Sequence, residues 1–170
     1  MTDDSLIKKS IISQFLASLE MLRETIQKCP DEVWLDDSRK PGFWQVAYHA
    51  LFYVHLYIQP SGADFKAWEK HRPDYQFLGA LPWPPHNRPN IREPFTKADV
   101  LEYLDFCCDE IRTVVPGLDL AAGSGFDWLP MSKLELQFYS LRHLMQHTGE
   151  LSERLNAQTG QEINWRSMSN

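Results

Sequence analysis

The sequence predicts an all-α protein, a four-helix bundle with one long crossover between its second and third helices. Three observations predict it. Four segments carry apolar residues at helical spacing, a proline or glycine follows each of them, and no credible strand run is present. At 170 residues and 43% hydrophobic, the chain fits a single domain, 1–170, that can bury a sizeable core without disulfide or metal staples.

The first helix is expected from about Ser5 to Lys28, where Leu6, Ile12, Phe15, Leu16, Leu19, Leu22 and Ile26 recur with the right period. Pro30 stops it, and Asp31 is placed to cap a short turn from Glu32 to Leu35. The second helix is expected to start near Pro41, in "RKPGFWQVAYHALFYVHLYIQP", and to close before Pro60. It is apolar nearly all round, so it must be buried on more than one side. The bundle covers one side, and the crossover or a second subunit must cover the rest, which points to a homodimer. Residues 60–95 form the crossover, with a short helix expected at "ADFKAWEK" and irregular chain at "LPWPPHNRP". A connection this long can traverse a bundle and let the flanking helices run parallel.

The third helix is expected over residues 96–115, with Thr96 and Asp99 as its N-cap pair and Pro116 and Gly117 as its end. A glycine-rich loop then leads to the fourth, Met131 to Gln158. In the short tail, Trp165 is expected to pack back on the bundle.

Lys plus Arg number 17 against 23 Asp plus Glu, a formal net charge of −6. That balance argues against nucleic-acid binding and supplies no basic patch for a membrane surface. No stretch approaches the roughly 18 unbroken apolar residues of a membrane helix, and "MTDDSLIKKS" has no apolar signal-peptide core. Cys29, Cys107 and Cys108 are odd in number and lack a CxxC spacing, so they read as packing residues. These features predict a cytoplasmic protein with reduced thiols.

The chemistry lies in "YSLRHLMQHTGELSERL". At about 100° per residue, His143, His147 and Glu150 fall together along one flank of the apolar stripe marked by Leu134, Leu141, Leu144, Leu151 and Leu155. Two imidazoles four residues apart can bind one ion, because both project from one face. Two ligands are too few for a catalytic zinc-type site, which uses three and leaves a position open. His49, in the middle of the buried second helix, is the third candidate. Gln45, one turn before it, is placed to orient its ring.

These segments, "GFWQVAYHALFYVHLYI" followed by "LRHLMQHTGELSERL", resemble the DinB/YfiT-like metal-dependent enzyme superfamily. The resemblance covers most of the chain, including the helix order and the long crossover. It implies a four-helix bundle with up-down-down-up topology. It also implies a divalent metal held by a histidine of the second helix and an HxxxH of the fourth, here His49, His143 and His147. His55 departs from the pattern. It lies about 240° round the helix from His49 and so cannot share its ion. It reads as a pocket-rim, interface or surface residue. Glu150 remains open as a fourth ligand, a base or a solvated charge. His71 and His86 read as surface residues, with His86 bordering a pocket only if the crossover folds over it.

Three neutral imidazoles leave a divalent ion its full charge, and zinc, nickel, copper and iron all suit them. The resemblance implies two chemistries on an unknown small molecule. One is hydrolysis, in which the ion activates water and Glu150 is the only motif-linked base. The other is thiol-dependent transfer or isomerisation, in which the ion presents a thiolate. Trp44, Tyr48, Tyr53, Trp68 and Trp83 could line an apolar substrate pocket, although aromatics at helical spacing are more often core. The competing reading is a non-catalytic, stress-related, metal-binding dimer, and the blandest is a bundle whose histidines are merely hydrogen-bonded.

Overall fold

The computed structural model describes residues 3–169. Five helices pack together: α1 (Asp3–Lys28), α2 (Asp31–Trp34), α3 (Phe43–Tyr57), α4 (Lys97–Val114) and α5 (Lys133–Thr159). A 3-10 turn, Val115–Gly117, extends α4. Among the described residues there is no strand, only an isolated bridge between Gly123 and Ser132.

The apolar period of α1 becomes one buried face. Phe15, Leu19, Leu22 and Ile26 are spaced by three or four residues and are all buried. That face meets α4 and α5, and α3 packs against the same two helices. Each fully buried aliphatic or aromatic side chain contributes roughly 1.5–3 kcal/mol by leaving water. The helices are therefore held by this shared core.

Helix ends follow local chemistry. Thr96 and Asp99 form a complete capping box, with the Thr96 hydroxyl accepting from Asp99 N at 3.1 Å. Ser132 caps α5 by accepting from Glu135 N, so that helix starts two residues later than its apolar period suggests. Gly160, at φ 70°, closes it in the left-handed conformation. Pro30, not Asp31, is the N-cap of α2, because its extended backbone (φ −63°, ψ 157°) already sets the turn. Pro41 likewise precedes α3, whose N-cap is Gly42.

The crossover supplies the cover that α3 requires. Trp68, Tyr75 and Phe95 are buried. Phe95 lies 4.7 Å from the Tyr48 ring and Tyr75 lies 5.8 Å from the Trp44 ring, centroid to centroid. No second subunit is needed to bury this helix. The helix expected at residues 63–70 does not form. Phe65 packs against Phe52 and His55 of α3, while Trp68 stacks on Tyr103 of α4. Irregular backbone lets one short segment reach both helices. Trp165 does not pack back and is 75% exposed, whereas Ile163 touches the core.

The three cysteines are buried packing residues, and burial raises the pKa of each thiol. No helix among the described residues is long and apolar enough to cross a membrane.

Lys133 is the least expected core residue, 2% exposed. Its ammonium donates to Gln59 O at 2.8 Å and to Ser124 O, pinning the 118–132 loop to the end of α3. Burial lowers its pKa to about 8, so it remains charged at neutral pH. Lys133→Met keeps the volume but strands two carbonyls, at about 1–3 kcal/mol each. The expected result is a loss of about 3 kcal/mol in urea unfolding. A change below about 0.5 kcal/mol would show that the pin contributes nothing.

Candidate metal centre

α3 and α5 lie side by side and bring three imidazoles to one depth. Ring centroids are 4.9 Å apart for His49 and His143, 4.7 Å for His49 and His147, and 4.6 Å for His143 and His147. One ligand nitrogen from each lies within 4.8 Å of the other two. His147 is buried and the other two are partly exposed, so the cluster sits at the rim of the bundle. This is the placement expected from the helical phase of α5.

Their partners decide which nitrogens face inward. His49 Nδ1 lies 2.6 Å from Gln76 O. A carbonyl only accepts, so Nδ1 carries the proton and Nε2 holds a lone pair. His147 Nδ1 donates to Glu150 Oε2 at 3.2 Å, which leaves its Nε2 in the same state. His143 Nε2 lies 3.0 Å from His49 Nε2. Its Nδ1 is buried and has no partner. Two imidazoles are thus locked in the tautomer that points a lone pair into the cluster, a donor set that fits a divalent ion. Burial lowers the pKa of His49 to about 3 and that of His143 to about 4, so both rings are neutral at pH 7, as ligands must be.

The orienting groups differ from those expected. Gln45 does not reach His49, and its Nε2 donates instead to Phe77 O at 2.9 Å. The neighbouring crossover carbonyl, Gln76 O, takes the role. Glu150 is neither a free carboxylate nor a member of the ligand cluster. Its Oε2 accepts from His147 and its Oε1 accepts from Arg154. Arg154, 7% exposed, also donates to Pro41 O at 2.9 Å. The sequence reading missed this arginine. Its spacing of four from Glu150 was a visible signal, the ordinary helical ion pair.

Of the aromatic candidates, Trp44, Tyr48 and Trp68 belong to the core and Trp83 is exposed. Only Tyr53 stands at the centre, 4.8 Å from the His49 ring and 5.5 Å from the His143 ring. Burial raises its pKa to about 12, so it is a neutral phenol.

The remaining histidines lie elsewhere. His55 is not a surface residue, although it lines a cavity between α3, the crossover and α4, which is the pocket-rim alternative. It is 1% exposed, and its Nδ1 lies 3.0 Å from the Tyr103 hydroxyl, because α4 packs directly over that side of α3. His71 is half-buried rather than superficial. It hydrogen-bonds the Tyr48 hydroxyl at 2.6 Å and stacks on Phe52. His86 is exposed on a turn, as expected.

Compared with models of known families, with curated proteins and with solved structures, the chain matches none.

Proposed function

We propose that this chain binds one divalent metal ion, zinc or nickel before iron, through His49, His143 and His147, and uses it as an enzyme acting on a small molecule. The observation that carries the reading is the convergence of three imidazoles, His49 and His143 among them held neutral by burial, at the rim of a helical core. It agrees with the DinB/YfiT-like resemblance, in which the long helices form an up-down-down-up four-helix bundle. Such an ion, when bound, acidifies water or thiol ligands. Of the two chemistries, thiol-dependent transfer is the better supported. A hydrolase wants a general base in reach, and both oxygens of Glu150 are engaged by His147 and Arg154. A coordinated thiol is deprotonated by the ion itself. Tyr53 then serves as a neutral hydrogen-bond donor beside the ligands.

The test is turnover. Metal-loaded protein should transfer a low-molecular-weight thiol to an electrophile, and chelator should stop it. Ester or amide hydrolysis without any thiol would reverse the choice. Glu150→Gln separates the roles further. An orienting carboxylate costs about 10–100-fold in metal affinity when lost. A base would instead leave the metal bound and abolish turnover.

A non-catalytic, metal-binding homodimer is the second reading. It is favoured by the same engagement of Glu150 and by Leu6 and Phe138, each 60% exposed, which line an apolar groove between α1 and α5. Metal bound without turnover of any thiol or ester, in a dimer by light scattering, would establish it.

A further inference from the structure

A cavity of about 700 Å³ opens where the N-terminus of α3 meets the crossover. Its volume is that of a small-molecule site. Gly42, Trp44 and Gln45 form one wall, and Lys40, Arg88 and Arg92 also line it.

Donors dominate the polar groups here. Gly42 is the N-cap of α3 and has no side chain to satisfy the first turn, so the Phe43, Trp44 and Gln45 amides have no capping partner. A helix N-terminus left in this state carries roughly half a positive charge. Trp44 supplies an independent sign. It is 8% exposed and lines the cavity, yet its indole N–H has no hydrogen-bond partner among the described residues. Trp34, also buried, donates its indole N–H to Phe95 O at 2.9 Å. Unlike that of Trp34, the Trp44 Nε1 is not sealed inside the core, so this donor stays open to the cavity. Nε1 of Trp44 lies beside Gly42, 3.4 Å from where a Cβ would stand, so it shares the mouth of the helix with the free amides. The guanidinium groups of Arg88 and Arg92 are exposed and have no ion-pair partner among the described residues. The lining also holds two carboxylates, Asp36 and Asp37, against the three cations Lys40, Arg88 and Arg92, so positive charge is in excess. Asp36 accepts from Ser38 N at 2.9 Å, and Asp37 lies 3.9 Å from Lys40 Nζ.

We infer that this cavity is a binding site for the oxyanion group, carboxylate or phosphate, of a small-molecule ligand. Backbone amides at a helix start, an indole N–H and two arginine forks are the donors such a group takes. The site stands on its own geometry and holds whether or not the histidines bind metal. It adjoins them all the same. Gln76 O holds His49, Phe77 O holds Gln45, and the next residues, Leu78 to Ala80, line the cavity. On the other side, Pro41 lines it and accepts from Arg154, which holds Glu150 against His147.

The experiment is a nitrogen–proton NMR titration of the whole chain with inorganic phosphate and, separately, with succinate. Ionic strength is held constant with chloride. The Phe43–Gln45 amides and the Trp44 indole, assigned with Trp44→Phe, should shift and saturate at millimolar ligand. Saturation by phosphate alone, succinate alone or both identifies the anion. Arg88→Gln with Arg92→Gln, both exposed positions, should weaken binding on the order of 10-fold or more. His143→Ala should leave it unchanged. Linear, non-saturating shifts, equal shifts with chloride, or an undiminished response in the double arginine variant would overturn the inference. Loss of the response in His143→Ala would move the anion to the histidines and overturn it as well.

Discussion

Replacing His143 with alanine should strip the divalent ion from the centre while leaving the helices folded. His143 sits between the other two, with its Nε2 3.0 Å from His49 Nε2 and its ring 4.6 Å from that of His147. Without it the remaining pair cannot complete a three-ligand site. Loss of a mere orienting group already costs about 10–100-fold in affinity, so loss of a ligand should cost more than about 100-fold. The fold should survive because the residues that hold it lie elsewhere: Leu19, Leu22, Leu51, Leu104, Leu144 and Leu151 are all fully buried. The variant also deletes a buried Nδ1 that has no partner, which offsets part of the lost packing. Elemental analysis of tag-free protein purified without chelator should find about one ion per chain in the wild type. It should find none in His143→Ala or His49→Ala. Melting should change little between the variants and the chelated wild type. A metal-free wild type that takes up neither zinc nor nickel would reduce the three histidines to a hydrogen-bonded cluster. A collapse in melting temperature on chelation would instead make the ion structural.

Much of this centre was legible before any coordinates. The HxxxH spacing puts His143 and His147 on one helical face. A histidine inside an otherwise apolar helix has to find a partner, and short-range rules suffice for both statements. What stayed hidden depends on packing between distant segments. His49 is oriented by a backbone carbonyl, Gln76 O, and a carbonyl is present at every position, so no residue type announces it. Gln45 has the right spacing on α3, but the crossover passes close enough to claim it at Phe77 O. The crossover misled for the same reason. "ADFKAWEK" has helical composition, but Phe65 and Trp68 serve two different helices and the backbone follows them. His55 and Tyr103 are both plain in the sequence, yet their pairing exists only once α4 lies on α3. The helix starts were displaced by caps rather than by period, as Gly42 and Ser132 show.

Acidification should unfold the metal-free protein well above the pH at which its carboxylates titrate. Burial lowers the pKa of His49 to about 3 and those of His143 and His55 to about 4. In the unfolded chain each titrates near 6.5. Between those values the unfolded state binds protons that the native state refuses, so stability is complete above about pH 6.5 and falls as the pH falls. Each histidine contributes a slope of up to about 1.4 kcal/mol per pH unit, and three together up to about 4. A domain of this size has about 5–15 kcal/mol in all, so most of it should be gone within about two pH units below 6.5. Glu24 and Asp99, whose carboxyl pKa values are lowered by Lys28 and Thr96, act only at lower pH. Lys133 is already fully protonated throughout this window. His55 isolates the effect from metal binding, since it is buried between α3 and α4, beside Tyr103 and Glu110, and is no part of the ligand cluster. Urea unfolding at pH 7.5, 6.5, 5.5 and 4.5 (conditions chosen to bracket the window near 6.5) should show the steep slope in the chelated wild type. His55→Phe should remove about a quarter to a third of it, because burial also lowers the pKa of His71 and one of these protons is no longer taken up on unfolding. A flat profile from pH 7.5 to 5.5 would mean that the native fold protonates these rings freely, and the neutral-ligand argument for His49 and His143 would fall with it.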